Sequence, residues 1–369
     1  MIRVMVVDDS ALVRRIASDI LSADPEIEIA ATAANAEFAL LKLERERPDV
    51  ITLDLEMPGM GGLEAIRRIM NVRPTPIIVM SAHAQKGAEL TLAALEAGAV
   101  DFVLKPSNSL SGGIPAIARE LIEKVRDAAR IILPSSLASS TQPEAPPPGV
   151  EGAPALPSVP VAAPPSSLAV NGCDLVAIGT STGGPVALKT VLTQLPGDFP
   201  VGILVVQHMP PVFTKAFADR LDSCCAVRVK EAENGDAVLP GRVLIAPGNW
   251  HMTVSRAGAE PRVLLSQGET VNGHRPSVDV LVRSVAREYS ARAVGVIMTG
   301  MGRDGAEGLR ELRARGGYVI AQDKSSSVIF GMNKEVVQNG DAHEVVPVDQ
   351  IASRLRACAR SAASARSGV

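Results

Sequence analysis

The chain has 369 residues, of which 46% are hydrophobic but only 2% aromatic, and its net charge is −3. That length gives room for two or three domains, each able to bury an ordinary core, and with so few aromatics the core must be built from Ala, Val, Leu and Ile. The charge is too small for a nucleic-acid binder, no apolar run approaches the roughly 18 residues that span a bilayer, and Asp8 and Asp9 stand where a signal peptide needs small residues, so a cytoplasmic protein with no direct membrane insertion is expected.

The first apolar runs are Val4–Val7, Ile27–Ala31, Val50–Leu53, Ile77–Met80 and Phe102–Leu104. They alternate with helical periodicity at Leu12–Leu21, Ala36–Leu43, Leu63–Met70, Ala88–Ala97 and Ile114–Ile131. Alternating βα units predict an open parallel sheet with helices on both faces. Asp8 and Asp9 follow the first run, Asp54 the third and Lys105 the fifth. In such a sheet these ends converge on the crevice where ligands bind. One acid after a strand is ordinary loop polarity; four charged residues at these ends form a pattern. Three carboxylates there repel one another unless a cation is present, and Mg2+ suits oxygen ligands while keeping waters for a phosphoryl group.

These positions resemble the receiver domain of two-component response regulators over residues 1 to about 125. The likeness rests on Asp8 and Asp9, on Asp54 in Asp54-Leu-Glu-Met-Pro-Gly59, and on Ser81 and Lys105-Pro106, with Phe102 at the family's aromatic switch position. The resemblance implies a flavodoxin-like (βα)5 receiver over residues 1–125, its last helix extending toward 131. It also implies that Asp54 takes a phosphoryl group from a phosphohistidine donor. Asp8, Asp9 and Asp54 would bind Mg2+, Lys105 would screen the phosphoryl oxygens, and Ser81 would hydrogen-bond the phosphoryl group.

Ten prolines fall between residues 134 and 165, with Ala, Ser and Gly filling most of the rest. Such a segment buries too little apolar surface to fold, so 134–170 is expected to be a flexible, partly extended linker.

From 171 to 362 the α/β alternation resumes. Asp174–Ile178, Gly202–Val206, Ala293–Met298 and Gly317–Ala321 are predicted strands of a doubly wound, mostly parallel sheet. Predicted helices are Pro185–Gln194, Phe213–Leu221, Val278–Glu288, Ala306–Arg313 and Gln350–Ala359. Short β segments with turn residues between Val227 and Leu265 predict a β meander or hairpin insertion. The four cysteines (Cys173, Cys224, Cys225, Cys358) show neither metal-ligand spacing nor a disulfide framework, so reduced thiols are expected.

Gly179-Thr-Ser181-Thr-Gly183 fits a G-x-S-x-G nucleophile elbow, a strained strand-to-helix turn that projects a serine hydroxyl. A helix cap or a phosphate-binding turn would use the same residues. Of the five histidines (His83, His208, His251, His274, His343), His208 follows a predicted parallel strand, at the edge from which Ser181 emerges. Asp304 follows a third such strand and could orient the imidazole or cap the next helix. His343 would restore the Ser–Asp–His order of α/β-hydrolases, but it precedes the apolar Val345-Val-Pro and so belongs before a strand. His208 is favoured.

Gly179-Thr-Ser-Thr-Gly-Gly-Pro185, Gln207-His-Met-Pro210, His274-Arg-Pro-Ser-Val-Asp279 and Met298-Thr-Gly-Met-Gly-Arg-Asp-Gly305 resemble the protein-glutamate methylesterase domain of bacterial chemotaxis, the CheB family. The resemblance implies Ser181 as nucleophile, His208 as general base and acid, and Asp304 as its orienting carboxylate. Thr182 and the backbone near Met301 would shape the oxyanion site. The implied substrates are methyl-esterified glutamates, and some glutamines, on the cytoplasmic helices of methyl-accepting chemoreceptors. A chemotaxis-type histidine kinase would be the phosphodonor, and the esterase itself would need no cofactor. The linker is longer and richer in proline than the family usually shows. A response regulator with a non-catalytic, partner-binding output domain is the alternative.

Overall fold

The computed structural model describes residues 1–81, 85–105, 113–131, 172–257 and 260–366. Pro106, His83 and the proline-rich stretch 134–170 lie outside them. Runs of buried apolar residues such as Val50–Leu53 suit strands covered on both faces, and each predicted run of the first half falls within a strand. These are β1 (Ile2–Val7), β2 (Ile27–Ala33), β3 (Val50–Asp54), β4 (Ile77–Ser81) and β5 (Asp101–Leu104). They alternate with α1 (Ala11–Ser22), α2 (Ala36–Glu46), α3 (Gly62–Val72), α4 (Gln85–Glu96) and α5 (Gly113–Ala128). Strand order is β2-β1-β3-β4-β5 with every pairing parallel, the flavodoxin-like arrangement. Its helices start where the sequence offers caps: Ser10 accepts from Val13 N and Asn35 from Phe38 N.

The second half builds β6 (Leu175–Thr180), β7 (Gly202–Gln207), β8 (Arg228–Glu231), β9 (Arg242–Ile245), β10 (His251–Ser255), β11 (Arg262–Ser266), β12 (Ala293–Ile297), β13 (Tyr318–Gln322) and β14 (Glu344–Val346). Around them lie α6 (Gly184–Leu192), α7 (Phe213–Asp222), α8 (Val278–Tyr289), α9 (Ala306–Ala314), α10 (Met332–Gln338) and α11 (Val348–Arg366). The main sheet runs β14-β13-β12-β6-β7-β9-β8, parallel throughout. The chain winds from β6 to β7 on one side and later places β12 on the other. The order therefore reverses at β6, the switch point where doubly wound sheets bind ligands.

One expectation is corrected. β8 and β9 are not part of a meander; they pair parallel and extend the main sheet. The turn at Glu233–Asp236 begins a wide loop that returns to the starting edge, where a hairpin would have reversed direction. Among the described residues, β10 and β11 form the antiparallel hairpin insertion. The short helix α10 had no clear periodicity to announce it.

The cores are aliphatic, as the composition requires. One buried cluster crosses between the halves, from Leu92, Leu95 and Phe102 to Phe213 and Phe217. The Phe102 and Phe213 rings stack with centroids 4.6 Å apart. Beside them Glu96, on α4, bonds Lys189 Nζ at 2.8 Å and Arg220 Nε at 2.9 Å. Hydrogen bonds from Arg220 and Lys189 outweigh partial burial and hold the Glu96 carboxyl down to about 2. The first unit thus lies with α4, β5 and α5 against the carboxyl edge of the second sheet. Among the described residues no helix is long and apolar enough to cross a membrane.

Candidate active site

Two groups of functional side chains stand at the carboxyl ends of the two sheets. In the first, the ligand oxygens of Asp8, Asp9 and Asp54 all lie within 4.8 Å of one another. Lys105 Nζ reaches Asp8 at 2.9 Å and Asp54 at 2.7 Å. Burial raises the Asp8 pKa and the Asp54 charge adds to it, against the opposing pull of Lys105 and of the Ser10 N–H. The two carboxylates also keep Lys105 more basic than usual despite burial. Three carboxylates against one ammonium leave negative charge over, and an all-oxygen set with excess charge fits Mg2+. Ser81 Oγ is buried and shares a 2.6 Å hydrogen bond with Thr91 of α4. Phe102 is buried against Phe213.

The second group is built on β6, β7 and β12. Thr180 pairs with Gln207, so the residues that follow, Ser181 and His208, leave the sheet side by side. The turn Ser181–Gly184 is closed by Gly184 N on Ser181 O at 2.8 Å. Gly183 takes φ 77° and ψ −7°, the third position of a type II turn, where a side chain is strained. Within the elbow, Gly183 bears the positive φ and Ser181 does not. Gly300 must also lack a side chain, because a Cβ there would stand 2.8 Å from Ser181 Cβ. Neither Thr182 N nor Met301 N donates to a backbone acceptor among the described residues, so both are available for an oxyanion.

His208 Nε2 meets Asp304 Oδ2 at 2.8 Å. That bond leaves Nδ1 as the atom free to take a proton, and it has no hydrogen-bond partner among the described residues. Ser181 and His208 line one cleft of about 470 Å³, without a hydrogen bond between them in this conformation. Asp304 is buried, and its oxygens also receive Asn272 Nδ2 at 3.0 Å, Ser277 Oγ at 2.8 Å, Val278 N at 2.7 Å and Asp279 N at 3.3 Å. Burial works to raise its pKa, but His208 and these donors outweigh it and hold the carboxyl well below the usual range. The role of the His274–Asp279 signature is now visible. Ser277 caps α8, and the positive end of that helix cradles Asp304.

Sequence reasoning missed Asn272 and Asp101, and gave Ser277 no role within the His274–Asp279 signature. Asn272-Gly273 reads locally as a turn and Ser277 as a helix cap; only the fold carries them to Asp304. Asp101 lies in the first unit, yet the Thr182 hydroxyl donates to its carboxylate. The same cleft is bordered by Phe102, Arg119, Glu120 and Lys124 from the first unit and by His274 and Arg275 from the second. His343 is set apart: its Nδ1 accepts from Val319 N at 3.0 Å, at the opposite end of β13 from the cleft. His251 is held by Glu269 O at 2.8 Å. A cavity of about 540 Å³ beside Arg130, Ile131 and Lys324 is larger but has no histidine in its wall. Ser181 and His208 both line the smaller cleft.

The CheB methylesterase family matches residues 176–355, and the response regulator receiver domain matches residues 4–111. A protein-glutamate methylesterase/protein-glutamine glutaminase of Koribacter versatilis is 46% identical over 354 residues, covering 96% of this chain and 95% of the relative. Another from Sulfurimonas denitrificans is 46% identical over 352 residues, with 95% and 96% coverage. The Thermotoga maritima CheB methylesterase catalytic domain superposes with a TM-score of 0.50 at 43% identity, covering 50% of this chain and 98% of that one.

Proposed function

The chain belongs to the CheB methylesterase family, and from that premise we propose that Ser181, His208 and Asp304 hydrolyse its ester and amide substrates. The enzyme is a protein-glutamate methylesterase/protein-glutamine glutaminase joined to a receiver domain. We read the chain as a receiver at 1–125, a linker at 134–170 and a catalytic domain at 171–362. The observation that carries the triad is the 2.8 Å bond from His208 Nε2 to Asp304, with Nδ1 unpartnered at the strand end beside Ser181.

Ser181 Oγ attacks the ester carbonyl of a glutamate side chain while His208 Nδ1 takes its proton. Asp304 stabilises the imidazolium through Nε2–H. The N–H groups of Thr182 and Met301 receive the oxyanion. The tetrahedral intermediate collapses, the proton passes from His208 to the leaving oxygen, and methanol departs. Water then gives its proton to His208 and attacks the acyl-enzyme, which releases the glutamate carboxylate and restores Ser181. With glutamine as substrate, ammonia leaves in place of methanol. The substrate segments are cytoplasmic helices of methyl-accepting chemoreceptors, which places the enzyme in the cytoplasm.

Asp54 is the acceptor of a phosphoryl group from a chemotaxis-type histidine kinase. Asp8, Asp9 and Asp54 would hold Mg2+, which when bound offsets phosphoryl charge. Control follows from the way the receiver closes on the cleft. Asp101 engages the Thr182 hydroxyl, Phe102 stacks on Phe213, and Glu96 ties α4 to α6 and α7. A phosphoryl group on Asp54 competes for Ser81, and loss of the Ser81–Thr91 bond reaches α4 and its ion pairs. Inter-domain contacts of this modest, polar kind yield to ligand-sized free energies. The test is methanol release from methylated receptor membranes, with and without a small phosphodonor. Wild type should accelerate with the donor, Asp54→Asn should keep only its basal rate, and Ser181→Ala should release none. Hydrolysis of a generic ester that disappears with Ser181→Ala would exclude the non-catalytic alternative, and a wild-type rate in that variant would overturn Ser181 as nucleophile.

A further inference from the structure

His274 makes no side-chain hydrogen bond among the described residues, yet its ring lies parallel to the His208 ring, with centroids 3.8 Å apart and planes 9° from parallel. Its position is closely fixed. Val271 and His274 exchange both backbone hydrogen bonds, at 3.1 and 2.9 Å. The turn between them uses Asn272 at φ 53° and Gly273 at φ 81°. Asn272 ties that turn to Asp304 at 3.0 Å and to Asp279 at 2.8 Å. On the other side, Arg275 is clamped by Asn249 Oδ1 at 2.6 Å and Gly268 O at 2.6 Å. One four-residue turn thus delivers an amide to the carboxylate and a flat ring to the imidazole.

The bond to Asp304 fixes a single point of the His208 ring and leaves it free to tilt about that point. We propose that His274 is a positioning residue for the hydrolysis: its ring is the wall that holds the His208 plane, keeping Nδ1 available to Ser181 through both proton transfers. The inference rests on His208 being the base. A wall beside a ring that must become cationic has to stay uncharged itself. Burial, then the neighbouring His208 charge, lowers the His274 pKa to about 4, with Lys124 of α5 adding to the effect and Asp304 opposing it. Among the described residues, His208, Asp304 and Lys124 are the charges that shift it, while Asp101, Arg119, Glu120, Glu123 and Arg275 line the same cleft.

The experiment uses the full chain with phosphodonor and a methylated receptor, and compares His274→Ala, His274→Phe and His208→Ala, each checked for folding by circular dichroism. His274→Ala should lower kcat by about 10–100-fold with little change in KM, the scale of a base displaced by about 1 Å. Water admitted to the open ring face stabilises the imidazolium, so the acidic limb of kcat/KM should move to higher pH. His274→Phe, which keeps a flat ring but cannot titrate, should recover activity to within about threefold of wild type, as little positioning is lost. If His274→Ala does not fold, His274→Gln, of similar size without a ring, takes its place. Equal losses in the Phe and ring-less variants, or a ring-less variant with wild-type kcat and an unmoved acidic limb, would overturn the proposal. If His208→Ala retains activity, the triad reading fails instead; if it is inactive while His274→Ala is normal, only the positioning role is lost.

Discussion

Asp8 and Asp304 are both buried aspartates at the carboxyl edge of a parallel sheet, and they are displaced in opposite directions from the ordinary carboxylate range. Asp8 shares its crevice with two other carboxylates and one lysine. Asp304 receives a histidine, an amide, a hydroxyl and two backbone N–H groups. Burial opposes charge at both, so the difference lies in what surrounds them. A carboxylate surrounded by donors is built to stay charged as a helper to its neighbour. One surrounded by other carboxylates carries excess negative charge that a cation would offset. The first site is incomplete without a partner; the second is complete within the chain.

The completeness of the second site can be broken most severely at its base. His208→Ala should lower kcat by on the order of 10⁵–10⁶-fold, because members of a triad act as a unit. His343→Ala should leave most activity, since its ring is engaged with Tyr318 and Val319 N away from the cleft. The reverse ranking, in folded proteins, would support the rival Ser–Asp–His order. Asp304→Asn comes next, with a loss of about 10⁴-fold. An amide presents one oxygen where five donors now converge on two, and an NH2 facing Nε2 forces the imidazole proton onto Nδ1. The His208 imidazole nitrogens, followed by NMR, should then change tautomer. An unchanged tautomer would mean that Asp304 does not set it.

A milder break is Ser277→Ala. It removes one donor to Asp304 and the cap of α8, whose Ser277 Oγ accepts from Val280 N at 3.4 Å. Activity should fall about tenfold, the scale of one hydrogen bond to a charged group, and stability by about 1 kcal/mol, the usual value of a cap. Steady-state kinetics beside urea unfolding would separate the two. Loss of stability at full activity would reduce Ser277 to a cap.

The two sites were not equally legible in the sequence. In the receiver, Asp8 follows β1, Asp54 ends β3 and Lys105 follows β5, so strand prediction alone gathers these three. Ser181 and His208 obey the same rule, following β6 and β7 directly, while Asp304 lies at the far end of the loop after β12. What holds Asp304 does not obey it: Asn272 and Ser277 sit on a turn and a helix start that only the packing of α8 against β6 brings into range. The direction of β8 and β9 was hidden for a related reason, since a short strand carries no mark of whether its partner runs parallel. Asp101 was beyond reach because its bond to Thr182 depends on the docking of one unit against the other.

The smallest effect sharpens the contrast at Asp8. Its raised pKa means that folding disfavours the charged form. The stability it contributes is fully present below the unfolded carboxyl range and is lost as pH rises through the folded value. Asp304 runs the other way: its contribution is present above that range and is lost as pH falls. At neutral pH, Asp8→Asn should therefore stabilise the protein in metal-free buffer, on the scale of about 0.5–2 kcal/mol seen for optimised charges. The amide retains an oxygen for the Ser10 N–H, now bonded at 2.9 Å, and removes one negative charge from beside Asp54. Mg2+ should raise the unfolding temperature of wild type, because it binds the folded crevice and not the unfolded chain. The variant should gain less from Mg2+, so the two melting curves should converge as the metal is titrated in. A variant less stable than wild type without metal would show that Lys105 already balances the crevice, and the contrast with Asp304 would fail.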